Sequence, residues 1–117
     1  MAISYVNASA ASGTGSVTPS IPTGTTTGDL LIMHIEGEGE DTNADVMATP
    51  GDWTLLGGTY SVANSTNGIA YQTRCTIWAA WYDDTPNRTV ADAGDHTAAV
   101  LSVWRGVDST TPFDGVT

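Results

Sequence analysis

The chain contains no lysine, one cysteine and one phenylalanine among its 117 residues, and each shortage closes a possibility. A single cysteine, Cys75, cannot form an intrachain disulfide or a cysteine-based zinc site. Set in Thr73-Arg-Cys-Thr-Ile-Trp78, it reads as a buried, inert thiol. Three arginines face thirteen acidic residues, for a net charge of −10. Such a surface repels phosphate backbones and anionic lipid, so neither nucleic acid nor a membrane is expected as partner. The charge favours solubility and suits a basic partner surface. With lysine absent and only three glutamates, at 36, 38 and 40, the exposed faces of helices would lack their usual residues. No apolar run approaches the roughly 18 residues that cross a bilayer. Met1-Ala-Ile-Ser-Tyr-Val6 has neither the basic nor the apolar region of a signal peptide. The expectation is a protein made in the cytoplasm that does not leave by the usual signal, with Asn7, Asn64 and Asn87 as ordinary turn and strand residues.

What the chain does have is glycine, threonine, serine and alanine, a mixture suited to short strands and many turns. Ile3–Val6 predicts a short edge strand, followed by a flexible connection from Asn7 to Gly15. Ser16–Ile21 alternates weakly, and Pro19 and Pro22 mark it as an edge strand or extended segment. Asp29-Leu-Leu-Ile-Met-His-Ile35 is apolar without alternation and predicts a central strand buried on both faces, or nearly so. Glu36 to Pro50 reads as a long acidic loop. Gly51-Asp-Trp-Thr-Leu-Leu56 opens a strand, with Trp53 plugging one end of the core. Asn67-Gly68 is a type I′ hairpin signal between Leu55–Ala63 and Ile69–Tyr82. In the second arm, Tyr71, Thr73, Cys75, Ile77, Ala79 and Trp81 share one face, while Arg74, Thr76, Trp78, Ala80 and Tyr82 share the other. Val90 adds a short strand, and His96–Arg105 forms the last one, ending at Gly106 in a turn of Asp, Ser, Thr and Pro.

Six or seven strands without a convincing helix predict an all-β, two-sheet antiparallel sandwich, jelly-roll-like, as a single domain over residues 1–117. An immunoglobulin-like sandwich is the alternative, one without the inter-sheet disulfide.

Gly28-Asp-Leu-Leu-Ile32, Pro50-Gly-Asp-Trp-Thr-Leu-Leu56, Thr76-Ile-Trp-Ala-Ala-Trp-Tyr82 and Val103-Trp-Arg-Gly-Val-Asp108 with Thr111-Pro-Phe-Asp114 occur in this order. Together they resemble a β-sandwich module of tailed-phage virion proteins, present on tail fibres and in small capsid-associated subunits. The resemblance spans residues 3–114, through short strand-and-turn patterns. It implies a non-enzymatic virion structural protein, a subunit decorating or cementing the capsid, whose partners are major capsid or tail proteins. The alternative is a receptor- or glycan-binding module on a tail fibre or other surface. Modules of this kind usually continue with further strands after the Pro-Phe-Asp corner. The expectation is therefore either a truncated sequence or sheet edges completed by neighbouring subunits in a homo-oligomer.

Candidate sites are few. Glu36, Glu38, Asp41, Asn43 and Asp45 gather hard oxygen ligands, and Asp41-x-Asn43-x-Asp45 opens like a calcium loop. Val46 stands where that loop needs glycine, Asp52 replaces the bidentate glutamate, and flanking helices are missing, so a solvated loop is the stronger reading. Trp78 and Tyr82, with Arg74 on the same strand face, form a candidate glycan platform, against the competing reading of aromatic core. His34 and His96 have no Gly-x-Ser-x-Gly elbow, His-Glu-x-x-His helix or paired carboxylates to work with, so no catalytic residue is assigned and no cofactor beyond the calcium candidate. Arg105 is expected to brace its corner through Asp108 or Asp114.

Overall fold

A computed structural model describes residues 2–40, 53–56, 60–64, 71–83, 85–91 and 96–113. The described residues form β1 (Ser4–Gly13), β2 (Leu30–Glu40), β3 (Thr54–Leu55), β4 (Tyr60–Asn64), β5 (Tyr71–Trp81) and β6 (His96–Arg105). The protein is all-β. Its strands make one antiparallel sheet in the order β1-β6-β2-β5-β3, with β4 also pairing with β5.

The middle of the sheet follows from alternation. Leu31, Met33 and Ile35 of β2 and Thr97, Ala99, Leu101 and Val103 of β6 are buried on one face. Thr76 and Ala80 of β5 join them, with Trp78 and Tyr82 packed against the cluster. The opposite face of β2 is buried only at its start: Leu30 is buried, Ile32 half-buried, His34 and Glu36 exposed. Among the described side chains, burial of this strand is thus complete on one side and partial on the other.

The covering layer among the described residues is two extended segments, 14–29 and 85–91. Val17 and Val90 meet in an isolated antiparallel bridge, N–H to O=C at 3.1 and 2.8 Å. Both are in the core with Trp53, and Ile21 packs against it. The Trp53 indole N–H donates to the Asn87 carbonyl at 2.9 Å, so the ring plugs the core while its polar edge is satisfied. Arg88 donates to the Pro19 carbonyl at 2.7 Å and to that of Pro86 at 3.2 Å, tying the two segments together.

Three sequence expectations need correction. The supposed flexible connection after Val6 is strand: β1 continues to Gly13 along the whole of β6, with a register shift between Tyr5 and Asn7. Small alanines and serines suffice there because Asn7 and Ser9 donate side-chain hydrogen bonds to the Thr23 and Ser20 carbonyls. Likewise, the supposed acidic loop begins as strand, since β2 runs through Glu40. Glu-Gly-Glu-Gly-Glu alternates with period two, which places Gly37 in the buried row and turns Glu36 to solvent. Finally, the strand predicted from Gly51 is described only as the two residues of β3, while β4 pairs separately with β5. The hairpin arms appear as β4 and β5, with Asn64 opposite Tyr71. Its Asn67-Gly68 turn lies outside the described residues, as do Asp92 to Asp95.

Gly106 ends β6 with φ +80°, and a Cβ built there would lie 2.6 Å from the Ala2 carbonyl oxygen. Gly28 has φ +91° but open space around it. Gly106→Ala is therefore expected to cost about 2–4 kcal/mol, a positive-φ penalty plus displacement of the N-terminal backbone, against about 1 kcal/mol for Gly28→Ala. Urea unfolding of the two variants checks the difference.

Candidate functional site

The best-defined polar constellation stands where β2 begins and β6 ends. The Asp29 side chain is almost fully buried. One carboxylate oxygen accepts from Arg105 Nε at 2.8 Å and the other from Arg105 Nη2 at 2.8 Å, a two-pronged pairing. The Thr26 backbone N–H donates to the same carboxylate at 2.9 Å. Arg105 Nη2 also reaches the Gly24 carbonyl at 2.8 Å and the Thr26 hydroxyl at 2.9 Å. The expected partner of Arg105 is corrected here: it is Asp29, far off in sequence, because only the folded sheet brings the two strand ends together. Asp108 instead caps its own turn, accepting from the Thr110 N–H and hydroxyl at 2.8 and 2.7 Å. Asp114 lies outside the described residues.

The Arg105 hydrogen bonds hold the Asp29 carboxyl below the usual carboxylate range, against the opposing effect of burial. The Thr110 hydroxyl and N–H lower Asp108 likewise. Arg105 is pushed higher still by Asp29. Both oxygens of the Asp29 carboxylate are met by donors from within the fold, so the corner braces the start of β2 against the end of β6.

Of the metal candidates, Glu36 and Glu38 sit on strand β2. Their register partners are Cys75 with Ala98, and Thr73 with His96. No oxygen ligand stands directly across from Glu36, and Asp41, Asn43 and Asp45 lie outside the described residues. Among the described residues no three His, Cys, Asp or Glu side chains form a metal-holding group. Of the glycan candidates, Trp78 and Tyr82 lie on the covered face and pack partly against the core. Trp78 donates its indole N–H to the Thr76 hydroxyl at 2.9 Å. The Arg74 side chain lies outside the described ones. His34 and His96 are exposed on the other face, where His34 stands opposite Val100 and Ile77. Cys75 is half-buried, and burial followed by the nearby Glu36 charge pushes its thiol up, the opposite of an activated nucleophile.

Local sequence patterns missed two apolar features. One is a cleft of about 270 Å³ in which Pro112 and Phe113 of the C-terminal corner face Leu30, Ala79 and Trp81 of the sheet, with Leu56 beside them. The other is the open face of the sheet itself. Register sorts it into rows across four strands: Tyr5–Trp104–Leu30–Trp81, Ala8–Ser102–Ile32–Ala79, Ala10–Val100–His34–Ile77 and Ser12–Ala98–Glu36–Cys75. Tyr5, Ile77 and Val100 are exposed at 55%, 39% and 47%, a concentration of apolar surface outside the core. Tyr5 and Trp104 meet edge to face, ring centroids 5.5 Å apart. The signal that finds this face is the alternation in β5 and β6, once their pairing with β2 is known.

Two outcomes follow. A carboxyl held below its unfolded value stabilises the fold above the unfolded pKa of about 3.9, and that contribution is lost as pH falls through the lower folded value. Asp29→Asn is expected to lack this part of the acid decline, and Arg105→Leu to move acid unfolding to higher pH; thermal midpoints measured from pH 7 downward check both. With Glu36 and Glu38 fixed on a strand, millimolar calcium is expected to give no heat in isothermal titration. Compared with protein-family models, with curated proteins and with solved structures, the chain matches none.

Proposed function

We propose that this chain is a non-enzymatic structural protein of a tailed-phage virion, a small β-sandwich subunit that decorates or cements the capsid. The observation that carries the reading is the open face: four strands present Tyr5, Ile32, Val100 and Ile77 outward, a surface suited to touching a neighbour. The resemblance supports the same reading, since its blocks fall on the parts that shape this surface. Gly28-Asp-Leu-Leu-Ile32 is the braced start of β2, and Val103-Trp-Arg-Gly-Val-Asp108 is the end of β6 and its turn. The polar groups best placed for chemistry serve the fold instead: Asp29 and Arg105 hold the corner, Arg88 the covering segments.

In this proposal the covering layer is the beginning of a second sheet, nucleated at Val17 and Val90, and the whole is a jelly-roll-like sandwich. Neighbouring subunits complete its edges at β1 and at β3 and β4. The net charge of −10 turns the remaining surface toward basic patches on the major shell protein. A tail-fibre module reading glycans through Trp78 and Tyr82 is the less favoured reading, because both rings give part of their area to the core.

Gold-labelled antibody against the protein, applied to intact virions of the phage that encodes it, is expected to mark the heads in a regular array. Label confined to fibres would transfer the proposal to the receptor-binding reading. Unlabelled particles would end it.

A further inference from the structure

We infer that a second copy of this chain joins through β1: the two β1 edges pair antiparallel about a two-fold axis at Ala10, making one sheet continuous across the dimer. The inference rests on the reading that neighbouring subunits complete the sheet edges, and it names the occupant of one edge.

β1 is paired on one side only. It follows β6 from Asn7 to Gly13 without a break, and among the described residues no other strand meets it. In an antiparallel ladder, successive residues direct their N–H and C=O alternately toward and away from the partner strand. The Ala8 N–H donates to the Asn7 side-chain carbonyl at 2.9 Å, which marks Ala8, Ala10 and Ser12 as the set that points outward. Ala10 and Ser12 are exposed. What such groups require is another extended backbone. The usual guards of an edge are missing: Asn7 to Gly13, about 23 Å of strand, holds no proline and no charge, and the one irregularity lies before it.

Charge selects whose backbone it is. Residues 1–28 contain no aspartate, glutamate, lysine or arginine, so β1 and the segment tied to it through Thr23 and Ser20 are neutral in a molecule of net charge −10. Beside β1, the ionisable residues of β6 are His96 and Arg105 at its two ends, and Arg105 is held by Asp29. Glu36, Glu38 and Glu40 belong to β2, two strands in from this edge. Across two paired copies they stand about 24 Å apart, beyond the screening distance of about 8–10 Å. A charged strand finds no counter-charge at this edge, whereas a second β1 brings no charge to be paired. Pairing about Ala10 sets Ala8 opposite Ser12 of the partner subunit, so the outward set meets itself and about six N–H···O bonds form. β1 against the β4 of another copy would be heterologous and run on into an open chain; β1 against β1 closes at two.

The contact is small, in the class of weak interfaces below about 1,200 Å². Sedimentation equilibrium of the full chain from about 10 µM to about 1 mM is expected to show mass rising from 12.1 kDa toward twice that value. Added salt is expected to strengthen association, because it screens the acidic remainder of each copy without weakening any ion pair at the contact. Ala10→Pro removes an outward donor and Ala10→Lys sets two charges at the axis; each is expected to weaken association at least tenfold with an unchanged circular dichroism spectrum. Ala10→Cys with Cys75→Ser places two thiols across the axis with Cα atoms about 5.5 Å apart, and mild oxidation is expected to cross-link it. Val100→Cys in the same background lies one strand in, about 14 Å from its copy, and is expected to stay uncross-linked although Val100 is exposed. A chain that stays monomeric throughout overturns the inference. So does an oligomer that both Ala10 variants leave intact, or cross-linking at position 100 in place of position 10. Any of these leaves the virion reading to be judged by labelling alone.

Discussion

The fork between Asp29 and Arg105 decides how the centre of this sheet is registered. β2 and β6 are far apart in sequence, so no tight turn sets their alignment, as a hairpin would. The ion pair stands one step before Leu30 opposite Trp104, and it fixes which residues oppose which. A slip by one residue would send Leu31, Met33 and Ile35 to the open side and put His34 and Glu36 in the core. The same carboxylate accepts from the Thr26 N–H, and the guanidinium takes the Gly24 carbonyl, so the turn feeding β2 is held by the device that aligns it.

Arg88 repeats that chemistry on the covering layer. Pro19, Pro22 and Pro86 are buried in segments that lie over the core, and proline cannot donate to a ladder. The segments therefore meet backbone to backbone at Val17 and Val90, and the Arg88 guanidinium takes the Pro19 and Pro86 carbonyls. The Thr18 and Thr89 hydroxyls, 2.9 Å apart, and the Trp53–Asn87 bond add to the same seam. Side chains supply most of the joinery that strand pairing provides elsewhere in the molecule.

What could be read from the sequence follows from what each segment is made of. β6 is legible end to end, because Thr97, Ala99, Leu101 and Val103 alternate with more exposed residues and Gly106 stops the strand. The faces of β5, the arms of its hairpin and the burial of Trp53 are legible for the same reason. The tail of β1 is not: Ala-Ser-Ala-Ala-Ser has the composition of a linker, and it becomes strand because β6 offers it a full ladder. Glu36 to Glu40 are missed through propensity, since both glutamate and glycine are depleted in strands although their alternation has the strand period. The partner of Arg105 is 76 residues away, so local spacing points to the wrong carboxylates. The open face belongs to no single segment and emerges only from the register of four strands.

These features together give the molecule an uneven surface from an ordinary composition. Arg88 and Arg105 are drawn into the fold as staples, so two of three cations do little to offset the acidic residues outside. The two central rows on the open sheet face carry no carboxylate or arginine, because β1, β5 and β6 turn alanine, serine and apolar side chains outward there. An approaching neutral body meets repulsion from no side, and on those rows it excludes water from apolar surface. A basic body is drawn to the rest. The surface is thereby divided twice over, by where charge has been left and by where it has been withheld.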